Sequence, residues 1–163
     1  MSTRPPGRPK DAAPTGGGAR SALRGDLSGY SGTPLAAKLG IKSDQRTLLI
    51  DAPRDVEATL ASALASTTRL TRLGAFDLAL AFVASKAALA KALDRLTPKL
   101  DDAGMLWIAW PKKASGVATD MTEDAVRANA LPRGLVDVKV CAIDATWSGL
   151  KLVRRRELRQ RTA

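Results

Sequence analysis

The chain has 163 residues, with 26 Lys plus Arg against 16 Asp plus Glu, no His and a single Cys, for a formal charge of +10. Without His it can form no Ser-His-Asp triad, His-paired cysteine, imidazole proton shuttle or His-bearing zinc site. With Cys141 alone, an internal disulfide and a cysteine metal cluster are excluded too, while 45% apolar residues suffice for one domain with a core.

Residues 1–25 are dense in Pro, Gly, Ala and Arg and hold almost no large apolar side chain, so a disordered basic tail is expected there. The N-terminus also lacks the apolar stretch of a secretory signal. Order is expected from about residue 26 to 155. Thr33-Pro34 places a cap residue before a proline and Gly40 is a natural stop, which predicts a short helix over Pro34–Leu39. Thr47–Ile50 (TLLI), bounded by Asp51-Ala52-Pro53, suits a buried strand. Val56, Leu60 and Leu64 then make one apolar stripe on a helix over 55–66.

Arg69–Leu73 fits less well. It could be extended, yet only two residues part it from Phe76, and parallel neighbours ordinarily need a long crossover. Phe76–Val83 is apolar enough for a strand covered on both faces, and with Asp77 inside it the run is far shorter than the ~20 residues of a membrane span. Ser85 caps a helix running to Leu96, with Ala88, Leu89, Ala92 and Leu96 on its inner face. Met105–Trp110 (MLWIAW) reads as a central strand closed by Pro111. A helix over Thr119–Leu131, with Asp120, Glu123 and Asp124 in its first turn, follows. Leu135–Ile143 and Trp147–Arg155 alternate around Asp144-Ala145-Thr146, a hairpin signal. Strands alternating with helices predict an α/β fold: a mostly parallel sheet, helices on both faces and a C-terminal antiparallel hairpin.

A strand ending in Asp51, a strand led by Phe76-Asp77, a helix, a Gly104-Met105-Leu106-Trp107-Ile108 strand and a terminal hairpin together resemble the class I methyltransferase fold, a Rossmann-like architecture. In that family an acid at the end of the first strand, followed by three alternating glycines, holds S-adenosylmethionine. Asp51 matches the acid, but Pro53, Asp55 and Glu57 fall on the glycine positions. Pro53 has no N–H to offer, and two carboxylates would repel the anionic end of the cofactor, so no cofactor is expected. The phrases at 29–41 (GYSGTPLAAKLGI), 110–124 (WPKKASGVATDMTED) and 138–153 (VKVCAIDATWSGLKLV) are similar to the bacterial family known as domain of unknown function 3052, over about residues 27–155. That resemblance implies no known activity.

Open parallel sheets bind ligands beyond the carboxyl ends of their strands. Trp110, Lys112, Lys113, Ser115 and Gly116 stand there, offering an aromatic plane, two ammonium groups, a hydroxyl and an approachable backbone for a phosphate or carboxylate. Trp147, Ser148 and Lys151 open the last strand and could complete that site, although a strand tryptophan also serves as packing and Gly149 could mark a bulge. Ser31, Gly32 and Thr33 ahead of a helix form a secondary candidate for an anion. Cys141 reads as a buried, inert thiol. Asp51 and Asp77 sit at opposite ends of parallel strands, too far apart for paired acid-base work.

Charge is concentrated at the ends. Residues 1–24 and 154–163 each hold five basic residues and one acid, whereas 25–153 holds 16 basic and 14 acidic residues. Three functions follow. The first is a non-catalytic cytoplasmic domain binding an anionic small ligand or a protein partner at the carboxyl edge of its sheet. The second is a divergent methyltransferase whose site has moved to Lys112, Lys113 and Trp147. The third is nonspecific nucleic-acid binding by the basic tails, 156–163 included. Neither a metal nor a membrane partner is expected.

Overall fold

A computed structural model describes residues 34–159; the N-terminal tail and Ser31, Gly32 and Thr33 lie outside the described residues. Strands β1 (Arg46–Ile50), β2 (Thr68–Arg69), β3 (Phe76–Phe82), β4 (Leu100–Pro111), β5 (Leu135–Ala142) and β6 (Trp147–Arg154) form one sheet in the order β2-β1-β3-β4-β6-β5. The first four are parallel, and β5 and β6 join antiparallel. Helices α1 (Leu35–Leu39) and α2 (Arg54–Leu64) cover one face; α3 (Lys86–Leu96) and α4 (Glu123–Ala130) cover the other. The expected fold class is therefore present.

Each layer has its own core. Val56, Leu60 and Leu64 of α2 meet Leu78, Leu80 and Trp107 of the sheet. Leu89, Leu93 and Leu96 of α3 meet Ala79, Ala81 and Ile108. Leu93, not Ala88 or Ala92, makes the stripe of α3, because leucine buries more apolar surface and the two alanines stay half-buried at its margin. Strand β4 is longer than its MLWIAW core. It starts at Leu100 opposite Phe76 and includes Pro111, which stands at its last position opposite Trp147.

The segment after α2 resolves the crossover difficulty. Thr68–Arg69 is a parallel strand, but only two residues long, beside Arg46 and Thr47. It climbs so little that 70–75 needs only to turn back before β3 begins, with Leu70 and Leu73 packed into the α3 and α4 layer. Helix α4 is also shorter than its pattern. It begins at Glu123 behind a Thr122 cap whose side chain accepts from the Ala125 N–H, so Asp120 precedes the helix and belongs to a loop.

Candidate functional site

The order β2-β1-β3-β4 reverses direction at β1 and β3, and their flanking helices α2 and α3 lie on opposite faces. That is the switch point at which open sheets form a ligand crevice. Asp51 directly follows β1 there, exposed and with φ 55, a left-handed conformation uncommon for a residue with a side chain. Pro53 is the N-cap of α2, and Asp55 and Glu57 occupy the helix's first turn. Glu57 is held by Arg69 at 3.1 Å. Asp77 lies at the opposite edge, where it accepts from the Arg46 backbone at 2.8 Å and pairs with the Arg46 guanidinium at 2.9 Å. The Arg46 hydrogen bonds hold the Asp77 carboxyl below its ordinary pKa.

The loop after β4 is pinned from both sides. The Lys112 N–H donates to the Thr146 carbonyl at 2.8 Å, fastening the loop to the β5–β6 turn. Further along, the Thr119 hydroxyl donates to the Ala84 carbonyl at 2.6 Å, and Asp120 accepts from the Lys86 N–H at 2.8 Å at the start of α3. Lys112 and Lys113 are thereby carried over the carboxyl edge, half-buried and exposed respectively. Among the described residues neither has a carboxylate within ion-pair distance.

The other candidates are placed less uniformly. The Ser115 hydroxyl donates to the Lys112 carbonyl at 2.7 Å and accepts from the Val117 N–H, so it shapes the loop. Gly116 is needed for its backbone, at φ 81, and faces open space. Trp110 is buried in the α3 and α4 layer and pairs in register with Ser148. Trp147, opposite Pro111, points to the other face and packs edge-on against Phe82 with ring centroids 5.0 Å apart. One residue of strand offset thus separates the two tryptophans by the thickness of the sheet.

Lys151 stands further down β6 opposite Trp107, away from the loop lysines. On β5 it faces Lys139 directly. Burial, and then the charges of Lys139 and Lys42, pull its ammonium below the ordinary lysine pKa. Burial pushes the nearby Cys141 thiol up against the opposing effect of Lys38 and Lys139. This grouping was missed in the sequence, although Lys139 and Lys151 lie equally far from Ala145 at the centre of the turn. Gly149 is no bulge: its register with Ala109 and Cys141 is regular, the irregularity lies between Asp137 and Lys139, and a Cβ on Gly149 would come within 3.3 Å of Trp107.

The C-terminal arginines are partly built into the fold. Arg154 pairs with Asp102 at 3.3 Å and donates to the Thr97 and Leu100 carbonyls, and Arg159 reaches back to the Arg154 carbonyl. An open cleft of about 390 Å³ lies elsewhere, along the flank of α2 between Arg54, Ala61 and Arg69, where the short β2 leaves the helix uncovered. Among the described residues no His, Cys, Asp and Glu cluster could hold a metal ion, and no helix is long and apolar enough to cross a membrane.

Solved structures share this architecture. The chain is similar to the M1A22 tRNA methyltransferase TrmK of B. subtilis, with 10% identity over 76% of this chain and 67% of that one and a TM-score of 0.52. It is also similar to magnesium protoporphyrin IX methyltransferase (ChlM) from Synechocystis PCC 6803 with bound SAH, with 13% identity over 74% and 78% of the two chains and a TM-score of 0.50. No family model matches the chain, and no curated protein does. The likeness establishes a methyltransferase-like Rossmann fold.

The cofactor this fold implies is S-adenosylmethionine, and the residues at the switch point do not fit it. Where a nucleoside crevice needs free backbone N–H groups, Pro53 caps α2 and two carboxylates follow. Strand β2 stops opposite Thr47, well short of the carboxyl end of β1, so the crevice lacks a wall. Its last residue is Arg69, committed to Glu57, not an acid able to accept from a ribose hydroxyl.

Proposed function

We propose that this domain binds a small anionic ligand, bearing phosphate or carboxylate, through Lys112 and Lys113 at the carboxyl edge of its sheet, without methyl transfer. The supporting observation is the pinned loop itself. Its backbone is tied to Thr146 at Lys112 and its far end to Ala84 through the Thr119 hydroxyl, while its two ammonium groups have no carboxylate partner among the described residues. A pinned backbone at a strand-end loop leaves only the two lysine side chains to be ordered on an anion. Trp147, on the Phe82 side of the edge, would stack a planar part of such a ligand, and membership of the bacterial family of unknown function to which the three phrases are similar belongs to the same reading.

The test uses inorganic phosphate and pyrophosphate as probes in thermal unfolding. Both are expected to raise the melting temperature of the parent, and Lys112→Ala with Lys113→Ala to abolish the rise while leaving the unliganded melting temperature within a few degrees. No stabilisation by either anion would refute the site. S-adenosylmethionine is expected to give no shift. A several-degree rise, blunted by Asp51→Ala, would favour the divergent methyltransferase, which shares the fold of the two solved neighbours.

A further inference from the structure

Five arginines of the described region are held in ion pairs, whereas none of its lysines is. Arg46 pairs with Asp77 and Asp101, Arg69 with Glu57, Arg127 with Glu123, Asp124 and Asp137, Arg133 with Asp94, and Arg154 with Asp102. Four lysines on the face covered by α1 have no such partner among the described residues. Lys139 and Lys151 are direct cross-strand partners, an arrangement of like charges that weakens a strand pair. Lys151 is opposite Trp107, whose Nε1 donates to the Leu39 carbonyl at 2.9 Å. That bond seats the end of α1 over this part of the sheet, with Lys38 in its last turn and Lys42 just beyond. Lys42 lies close enough to Lys151, and Lys38 close enough to Cys141, for their charges to be felt there. Folding alone gives no reason to gather these charges, since the packing of Leu39, Cys141 and Trp107 needs none of them.

The form of the patch points to its ligand. It has no guanidinium fork with which to clamp one carboxylate, and its aromatic ring, Trp107, is fully buried and cannot stack a base. Compact ammonium groups on flexible stems, spread from a helix end across two strands, suit a repeating series of phosphates. We propose that Lys38, Lys42, Lys139 and Lys151 form a sequence-independent docking surface for the sugar-phosphate backbone of a nucleic acid, separate from both the carboxyl-edge loop and the chain ends.

Fluorescence anisotropy of a short labelled DNA duplex with the full-length protein tests this. Lys42→Gln with Lys139→Gln, both exposed positions, is expected to weaken binding about tenfold and to flatten the slope of log affinity against log salt by about 1.8 for two lost phosphate contacts. Lys91→Gln with Lys99→Gln removes the same charge at exposed positions on and just after α3, and should change affinity less than about twofold. Circular dichroism and melting verify that both doubles fold; the Lys139 change should not lower the melting temperature. Equal losses in the two doubles would assign binding to overall charge or to the tails and overturn the proposal. So would absence of duplex binding by the parent at low salt, or patch-dependent binding in which polyglutamate or phosphatidylserine vesicles outcompete the duplex.

Discussion

Trp107 joins three elements, β4, α1 and β6, through one side chain. Its ring fills the space between the sheet and α1, its Nε1 donates to the Leu39 carbonyl, and Gly149 leaves room for it from the neighbouring strand. A helix of five residues cannot hold itself together in water, so α1 depends on this anchor and on Leu39 for its place. Trp107→Phe keeps an aromatic ring but leaves the Leu39 carbonyl without its buried donor and opens a small void. The expected cost is about 2–3 kcal/mol, combining an unsatisfied buried acceptor with lost packing, measured as a fall in the urea midpoint at unchanged slope. A loss below about 0.5 kcal/mol would show that the hydrogen bond contributes little.

Among the elements, the loop after β4 shows most clearly how distant residues decide local structure. Asp120 sits far along the chain from Lys86, yet it accepts the first N–H of α3, while Ser85 accepts from Ala88 as the helix's own cap. Asp120→Ala is expected to destabilise the domain by about 1 kcal/mol through loss of this cap and of a negative charge at the helix N-terminus. Chemical denaturation checks it, and Asp124→Ala, exposed in the first turn of α4, should cost less. The strands β1, β3 and β4 were legible because continuous apolar runs leave few other conformations, and the hairpin because Asp144 accepts from the Thr146 and Trp147 N–H groups, the local bonds an Asx turn demands. The start of α4 was not legible, because Thr119 and Asp120 look like helix-cap residues and reveal their use only through Ala84 and Lys86. Nor could pattern alone show that Trp110 and Trp147 face opposite ways, since the register of β4 against β6 depends on where the hairpin returns. The candidates Lys112, Lys113, Ser115 and Gly116 therefore share the loop, whereas Trp110 is buried in β4 and those contributed by β6 are divided between its two faces and between its start and its middle.

Across the described residues, every ion pair uses an arginine and none a lysine. Five arginines of the folded region are held in ion pairs, including Arg154, which the sequence assigns to a basic end but which the fold binds to Asp102. None of the described lysines has a carboxylate partner, and around the half-buried Lys151 they repel one another. This repulsion has a pH signature whose direction follows from linkage. The folded-state pKa of Lys151 is depressed, so its penalty is fully present below that pKa and is relieved as pH rises through it toward the ordinary lysine value. Cys141 contributes in the opposite sense: its raised thiol pKa supplies stability at neutral pH that is lost as the unfolded thiol ionises on the alkaline side. Lys139→Gln separates the two. At neutral pH it removes a like charge facing Lys151 and is expected to stabilise the fold by about 0.5 kcal/mol. On raising the pH, Lys151 would have less penalty left to relieve, and the Cys141 thiolate would lose a favourable neighbour, so the advantage of the variant over the parent should shrink. Urea midpoints of the two proteins from neutral to alkaline pH measure this gap. A gap constant with pH, or a variant less stable than its parent at neutral pH, would mean that Lys139 and Lys151 do not interact as their register places them.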